Sequence, residues 1–244
     1  MLIAQISDIH AAPQSPGLDR LAEATDWLGS LRPDLLVVTG DLVDDGWQDG
    51  YRAIRDALRR LDCPVHVIPG NADCKETMRL ELAEFCALGE TMHFSRELGG
   101  MTLLGLDVTV AGAAHGDATS HVEWLENALR AAGSSTIIFM HQPPIKTGIA
   151  PLDAVMCRNL DALARVLAEA ETDVLAILCG HVHRPISGRF GAIPVYVCGS
   201  LCEPNPLLLE GRVAPDITDA PSFAVCEIDG GELRHHTISL GNSS

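Results

Sequence analysis

Nowhere in the 244 residues do eighteen or more apolar residues run together, so the sequence offers no membrane-crossing helix. Residues 1–10 lack the basic stretch followed by a long apolar one that marks a secretory leader, and a cytoplasmic protein with no membrane partner is expected. The eight cysteines, Cys63, Cys74, Cys86, Cys157, Cys179, Cys198, Cys202 and Cys226, form no CxxC pair. That excludes a zinc knuckle and a small disulfide-built scaffold, and the thiols are read as buried. No GxxxxGK segment occurs, which excludes a P-loop hydrolase. Basic residues are scarce, 17 against 33 acidic, and a formal charge of -16 repels a polyanion at long range, so extended nucleic acid is excluded as a partner. Neither an internal repeat nor a linker is found. The expectation is a single domain over 1–244, with the proline-bearing segment 203–221 as a small cap or a contact in a homo-oligomer.

What the chain does have is a steady alternation of short apolar runs and amphipathic segments. Residues 2–7, 35–39 and 65–68 read as strands, separated by helical periods over 18–31 and 51–61. Further strands are expected at 102–106, 136–140, 174–179, 195–198 and 223–228, the late ones with antiparallel neighbours, and helices at 120–132 and 160–170. Such alternation predicts an α/β fold with its site at the strand ends.

Five of those strand ends carry polar groups: Asp8 and His10, then Asp41, Asn71, His141, and finally His181 with His183. Carboxylate, amide and imidazole donors together suit borderline divalent metals. Residues two apart on an extended segment project to one side, so Asp8 with His10, and His181 with His183, are expected to converge. Seven donors exceed the need of one tetrahedral ion, and a central carboxylate such as Asp41 has two oxygens with which to bridge two ions. A two-metal centre follows. Two ions about 3.5–4 Å apart acidify a water, orient it for in-line attack and clamp the oxygens of a phosphoryl group, which is what phosphate ester hydrolysis requires.

The blocks Asp8-Ile9-His10, Gly40-Asp41-Leu42-Val43-Asp44-Asp45-Gly46, Gly70-Asn71-Ala72-Asp73, His141-Gln142-Pro143-Pro144 and Gly180-His181-Val182-His183-Arg184 resemble, in order and separation, the five blocks of the calcineurin-like metallophosphoesterases. Within that superfamily the second block, together with Thr147-Gly148-Ile149, Leu152-Asp153 and Ala220-Pro221-Ser222-Phe223, resembles the class III cyclic nucleotide phosphodiesterases and the glycerophosphodiesterases. The resemblance spans residues 2–230. It implies a four-layer α/β/β/α sandwich with mixed sheets and two divalent or trivalent ions, drawn from iron, manganese, zinc or cobalt. One ion would take Asp8, His10, Asp41 and His183, the other Asp41, Asn71, His141 and His181. The implied activity is hydrolysis of a small phosphodiester, a 3',5'-cyclic nucleotide or a glycerophosphodiester, by a metal-bridging hydroxide, with Asn71 and His181 orienting the phosphate.

The chain departs from the family at one position. The family places a histidine directly after the block asparagine, where it assists the leaving oxygen, and Ala72 stands there. General acid catalysis contributes about 10²–10⁴-fold, so three outcomes are open: another acid substitutes, the natural leaving group needs little protonation, or turnover on common nucleotides is slow. His115, in the glycine-rich loop Ala111-Gly112-Ala113-Ala114-His115-Gly116-Asp117, is the candidate substitute. Asp44, Asp45 and Asp73 are read as partners of ligands, caps or solvated charges. Arg184 is either a phosphate contact or a structural ion pair. Cys74 reads as a packed thiol, and His66, His93, His121, His235 and His236 as structural or exposed. A phosphomonoesterase and a noncatalytic metal-binding scaffold are the alternatives that the residues leave open.

Overall fold

The computed structural model describes residues 1–209, 212 and 219–241. The chain opens β1 (Leu2–Ile6), α1 (Gly17–Leu31), β2 (Leu35–Thr39), α2 (Gln48–Leu58), β3 (Val65–Ile68) and α3 (Lys75–Glu81). It continues with β4 (Phe94–Leu98), β5 (Met101–Leu106), α4 (Val122–Ala131), β6 (Ser135–Met140), α5 (Ala150–Asp153), α6 (Leu160–Ala168) and β7 (Asp173–Cys179). The last strands are β8 (Ile186–Phe190), β9 (Ile193–Val197), β10 (Ser222–Asp229) and β11 (Glu232–Ser239). They form two sheets, ordered β11-β10-β1-β2-β3 and β4-β5-β6-β7-β9-β8. The inner strands β1, β2 and β3 run parallel, as do β5, β6 and β7, while the outer pairs β10 with β11, β4 with β5 and β8 with β9 are antiparallel.

Both sheets are mixed, and the alternation of side chains along each strand explains the layers. Ile3, Leu35, Val37 and Ile68 of the first sheet meet Leu103, Ile137, Phe139 and Leu178 of the second in one buried layer between them. The opposite faces of β1 and β2, with Ala4, Ile6, Leu36 and Val38, pack on Leu21 and Leu28 of α1 and Tyr51 and Ile54 of α2. On the far side Leu104, Ile138 and Ile177 meet Leu125 of α4 and Leu163 of α6. Helix, sheet, sheet, helix is the expected sandwich. Truncating one of these wholly buried leucines or Phe139 to alanine would cost about 2–5 kcal/mol.

Sequence and structure differ most at the sheet edges. β4, β8 and β11 escaped the reading of apolar runs because none of their residues is fully buried and charged ones face solvent, among them Arg96, Glu97, Arg189, Glu232 and Arg234. Charged edge strands discourage pairing with other chains. Helix α2 starts three residues before the expected Tyr51 and ends three before Leu61; Leu61 instead caps a turn that bonds Leu58. Helix α1 stops where expected, because Arg32 turns left-handed before Pro33 and returns its N–H to Leu28. Only parts of the expected cap at 203–221 lie within the described residues; there Leu209 makes one bridge, to Ile149. Among the described residues no helix is long and apolar enough to cross a membrane.

A buried polar seam joins the two sheets near one end. Gln5 of β1 donates from Nε2 to Thr39 Oγ1 at 3.0 Å and to the carbonyl of Cys179, the last residue of β7, at 2.9 Å. Beyond that seam the parallel strands β1, β2, β3, β6 and β7 all end on the same side of the molecule, and each releases one of the candidate blocks.

Candidate metal centre

The five loops are laced together by their own backbones. Asp8 N donates to the Gly40 carbonyl and His10 N to the Asp41 carbonyl, both at 3.0 Å, and Gly180 N donates to His141 O at 3.0 Å. The approach leaves no room for side chains at two glycines. A Cβ on Gly40, whose φ is +88°, would collide with the backbone of Gly70, and one on Gly180 would strike Ser7 Oγ.

Convergence of the paired ligands is achieved differently from the expected extended geometry. Asp8 (φ 54°), His10 (44°), Asp41 (54°), His181 (73°) and His183 (56°) are all left-handed. In that conformation a non-glycine residue is sterically disfavoured and persists only where the surroundings over-determine it. Asp8 and His10 therefore converge because the chain coils after β1, not because it stays extended, and His181 and His183 do the same after β7.

Among the described residues three groups of donor atoms result, each with its atoms within 4.8 Å of one another: two that include carboxylates, Asp8, His10, Asp41 and His183, and then Asp41, His141 and His181, and a third of His10, His183 and Cys202. Asp41 belongs to the first two. Its Oδ2 is 3.4 Å from His10 Nε2 and 3.2 Å from His141 Nε2. In the first group His183 Nε2 is 3.4 Å from Asp8 Oδ1 and 3.1 Å from His10 Nε2. In the second, His181 Nδ1 is 3.3 Å from His141 Nε2. Asn71 joins through the turn that holds Asp41, since Ala72 N donates to Asp41 Oδ1 at 2.7 Å, and its own Oδ1 accepts from Gln142 Nε2 at 3.3 Å.

The donor chemistry fits divalent cations. Four ring nitrogens lie in two pairs no more than 3.3 Å apart, a crowding that shared protons relieve poorly and a cation relieves well. His181 Nε2, moreover, is buried with no partner. Without ions the site divides its protons by charge. Burial alone would lower His10, but the Asp41 carboxylate, with Asp8 and Asp44, carries it to about 10. Against the same burial, Asp41 and Asp8 carry His141 to about 9. Burial and the neighbouring His141 push His181 down to about 4, while the histidines hold Asp41 well below the usual carboxylate range despite its burial.

Each of three imidazoles that present Nε2 to the site is held from behind at Nδ1, the arrangement that orients metal-binding histidines. His10 Nδ1 meets Asp44 Oδ1 at 2.6 Å, His141 Nδ1 donates to the Thr39 carbonyl at 2.6 Å, and His183 Nδ1 lies 3.1 Å from Cys202 Sγ. Asp44 thus supports a ligand, as the sequence suggested. Asp73 supports two loops: it accepts from Asp41 N (2.9 Å), Leu42 N (3.0 Å), Gly70 N (2.9 Å) and Tyr51 Oη (3.0 Å). Cys202 was missed, because no motif flags a lone cysteine; a clue lay in its place in the loop that follows β9, the strand paired with the one that releases His181 and His183. Gln142 was missed too.

The remaining expected residues take quieter places. Arg184 pairs with Asp219 at 2.5 Å and donates to the Asn205 carbonyl, which decides for the structural ion pair. His93 bonds His121 and stacks on Trp124, His66 stacks on Phe94, and His235 on Tyr196. His115 is half-buried, and among the described residues nothing hydrogen-bonds its imidazole. Its neighbour Ala114 offers its carbonyl to Gln142 Nε2 at 3.1 Å, the same amide that reaches Asn71.

A four-layer sandwich with carboxylates and imidazoles gathered where its parallel strands end defines a metallophosphoesterase. The chain belongs to the calcineurin-like phosphoesterase family, whose model it matches over residues 1–185. It is 33% identical over 219 residues to a probable glycerophosphodiester phosphodiesterase of Arcobacter nitrofigilis, covering 86% of this chain and 76% of that one. It is 32% identical over 255 residues to a cAMP/cGMP dual specificity phosphodiesterase of Mycobacterium tuberculosis, covering 98% and 80%. Among solved structures, a dimetal phosphatase from Danio rerio shares the fold with a TM-score of 0.73 at 14% identity, over 98% of each chain. With such relatives the chain stands among the metal-dependent phosphodiester hydrolases, as its motifs imply.

Proposed function

We propose that the chain, as one domain, hydrolyses small phosphodiesters, a glycerophosphodiester or a 3',5'-cyclic nucleotide, with two metal ions held by the two donor groups that share Asp41. The observation that carries this reading is that sharing: six side chains from four separate loops form two clusters with one carboxylate common to both. Asp8, His10, Asp41 and His183 would hold one ion, and Asp41, Asn71, His141 and His181 the other. When bound, such a pair supplies Lewis acidity: it acidifies water for in-line attack on phosphorus and neutralises the charge of the phosphate oxygens.

The chain's own residues do the rest. Asp41 would be common to both ions: its Oδ2 lies 3.4 Å from His10 Nε2 and 3.2 Å from His141 Nε2, while its Oδ1 is fixed by the Ala72 amide. Asn71, steadied by Gln142, would offer its amide to the phosphate, and His181, whose Nε2 has no partner, would supply a second donor. Asp44, Thr39 and Cys202 lock three ring orientations before substrate arrives, which reduces the cost of assembling the site. The tether from Gln142 to Ala114 is what supports a place near the site for His115.

The test is metal analysis together with hydrolysis of bis(4-nitrophenyl) phosphate and 4-nitrophenyl phosphate by the reconstituted protein. Two ions per chain and preference for the diester are expected. One ion, or preference for the monoester, would overturn the corresponding half of the reading.

A further inference from the structure

Ala72 stands where the family has a histidine, which leaves the place beside the departing oxygen open to another donor. A cleft of about 290 Å³ opens beside Asn71, lined by Cys74, Lys75, Thr109 and Gly112 among others. Lys75 is the basic residue of that lining, which also carries Asp73 and Glu76, while His115 is not among its residues.

Lys75 is also anchored. Its Nζ is 2.7 Å from Oδ2 of Asp107, a wholly buried carboxylate that also accepts from Met92 N at 3.0 Å on the same oxygen, and from Thr109 N at 3.1 Å and Thr109 Oγ1 at 2.6 Å on the other. Four donors saturate Asp107. One of the ammonium's three N–H groups suffices for that bond, leaving two, and the side chain remains 29% exposed. A fixed cation with spare donors, in a cleft that adjoins a proposed phosphate-orienting amide, is what a developing alkoxide requires. No aromatic ring lines the cleft, so nothing there would stack a nucleobase.

Resting on the phosphodiesterase reading above, we infer that Lys75 takes over the role vacated at position 72: it stabilises the leaving oxygen of aliphatic alcohols, and the cleft beside Asn71 receives that alcohol. The P–O bond to the alcohol breaks as the bond from the attacking water's oxygen to phosphorus forms. The electron pair stays on the departing oxygen, Lys75 donates a hydrogen bond to it, solvent then protonates it, and the water's proton leaves to solvent.

The experiment compares two substrates on the metal-loaded full chain: sn-glycero-3-phosphoethanolamine, whose leaving group is a strongly basic alkoxide, and bis(4-nitrophenyl) phosphate, whose leaving group departs unaided. Lys75→Gln, which keeps a hydrogen bond to Asp107, should lower kcat on the glycerol ester by about 10²-fold and change the nitrophenyl ester by no more than a few-fold. Lys75→Arg should retain most of the activity, and adding Ala72→His to Lys75→Gln should recover part of the glycerol ester rate. If Lys75→Gln fails to fold, the Lys75→Gln/Asp107→Asn pair leaves no unpaired buried charge and reads the same contrast. Equal losses on both esters, or none on either, would overturn the inference. A wild-type chain that cleaves neither ester would instead overturn the phosphodiesterase reading itself.

Discussion

The two donor groups around Asp41 are built from the same residue types but are held by different means. In the first, His10 and His183 are half-buried and their rings are steered by side chains, the Asp44 carboxylate and the Cys202 sulfur. In the second, His141 and His181 are buried, and His141 is steered by a backbone carbonyl at the end of β2. One group can therefore be altered by substitutions behind its ligands, whereas the other is part of the sheet and yields only when the sheet does. The Asp41 carboxylate, common to both, is where the difference ends.

Substitution at that common point should have the largest effect. Asp41→Asn is expected to lower diester hydrolysis by about 10³-fold or more and to reduce bound metal to one ion or none, measured by elemental analysis; a variant that kept both ions would break the pairing of the groups. Next comes Asp44→Ala, which should weaken one of two metal-binding steps by about 10–100-fold and leave the other unchanged in a competition titration. Cys202→Ala should act on that same step and more mildly, about 10-fold, with Cys202→Ser intermediate. If either variant weakened both steps equally, the contrast between the groups would fall.

A pH titration sharpens the comparison further, since each group holds a ring raised far above the ordinary histidine value, His10 in the first, where Asp8 raises His183 as well despite its burial, and His141 in the second. With values raised to about 10 and about 9, His10 and His141 both carry protons near neutral pH in the metal-free chain, and entering ions must displace them. Calorimetry in buffers of different ionisation enthalpy should therefore show proton release on loading, with affinity rising as pH increases. The same sign governs stability. Raised values mean that these rings stabilise the metal-free fold fully below the ordinary histidine value of 6.5, and that the contribution is lost as pH climbs through about 9 and then about 10. Heat denaturation across that range would detect it.

Much of this was legible in the sequence, for reasons that differ between elements. The inner strands are continuous apolar runs because both of their faces are covered, and each ends in a block whose residue types have few other uses in that order. The edge strands β4, β8 and β11 were not legible, since solvent on one side replaces apolar residues with charges and erases the run. In the site, residue types showed which groups could bind but not how the chain brings them together. The left-handed turns at Asp8, His10, His181 and His183 have no compositional signature, because aspartate and histidine were already explained by their donors. Cys202 and Gln142 were silent because their roles exist only through contacts with residues distant in sequence, His183, Asn71 and Ala114.

The close passage of Gly40 against Gly70, and of Gly180 against Ser7, has a bearing on how such a centre can change over generations. Four of the five loops cannot drift separately: a methyl group gained at either glycine displaces the neighbouring loop and the donor it carries. Variation in what the protein accepts is thereby channelled away from the cage and into the rim, where Val110, Ala111 and Gly112 border open space.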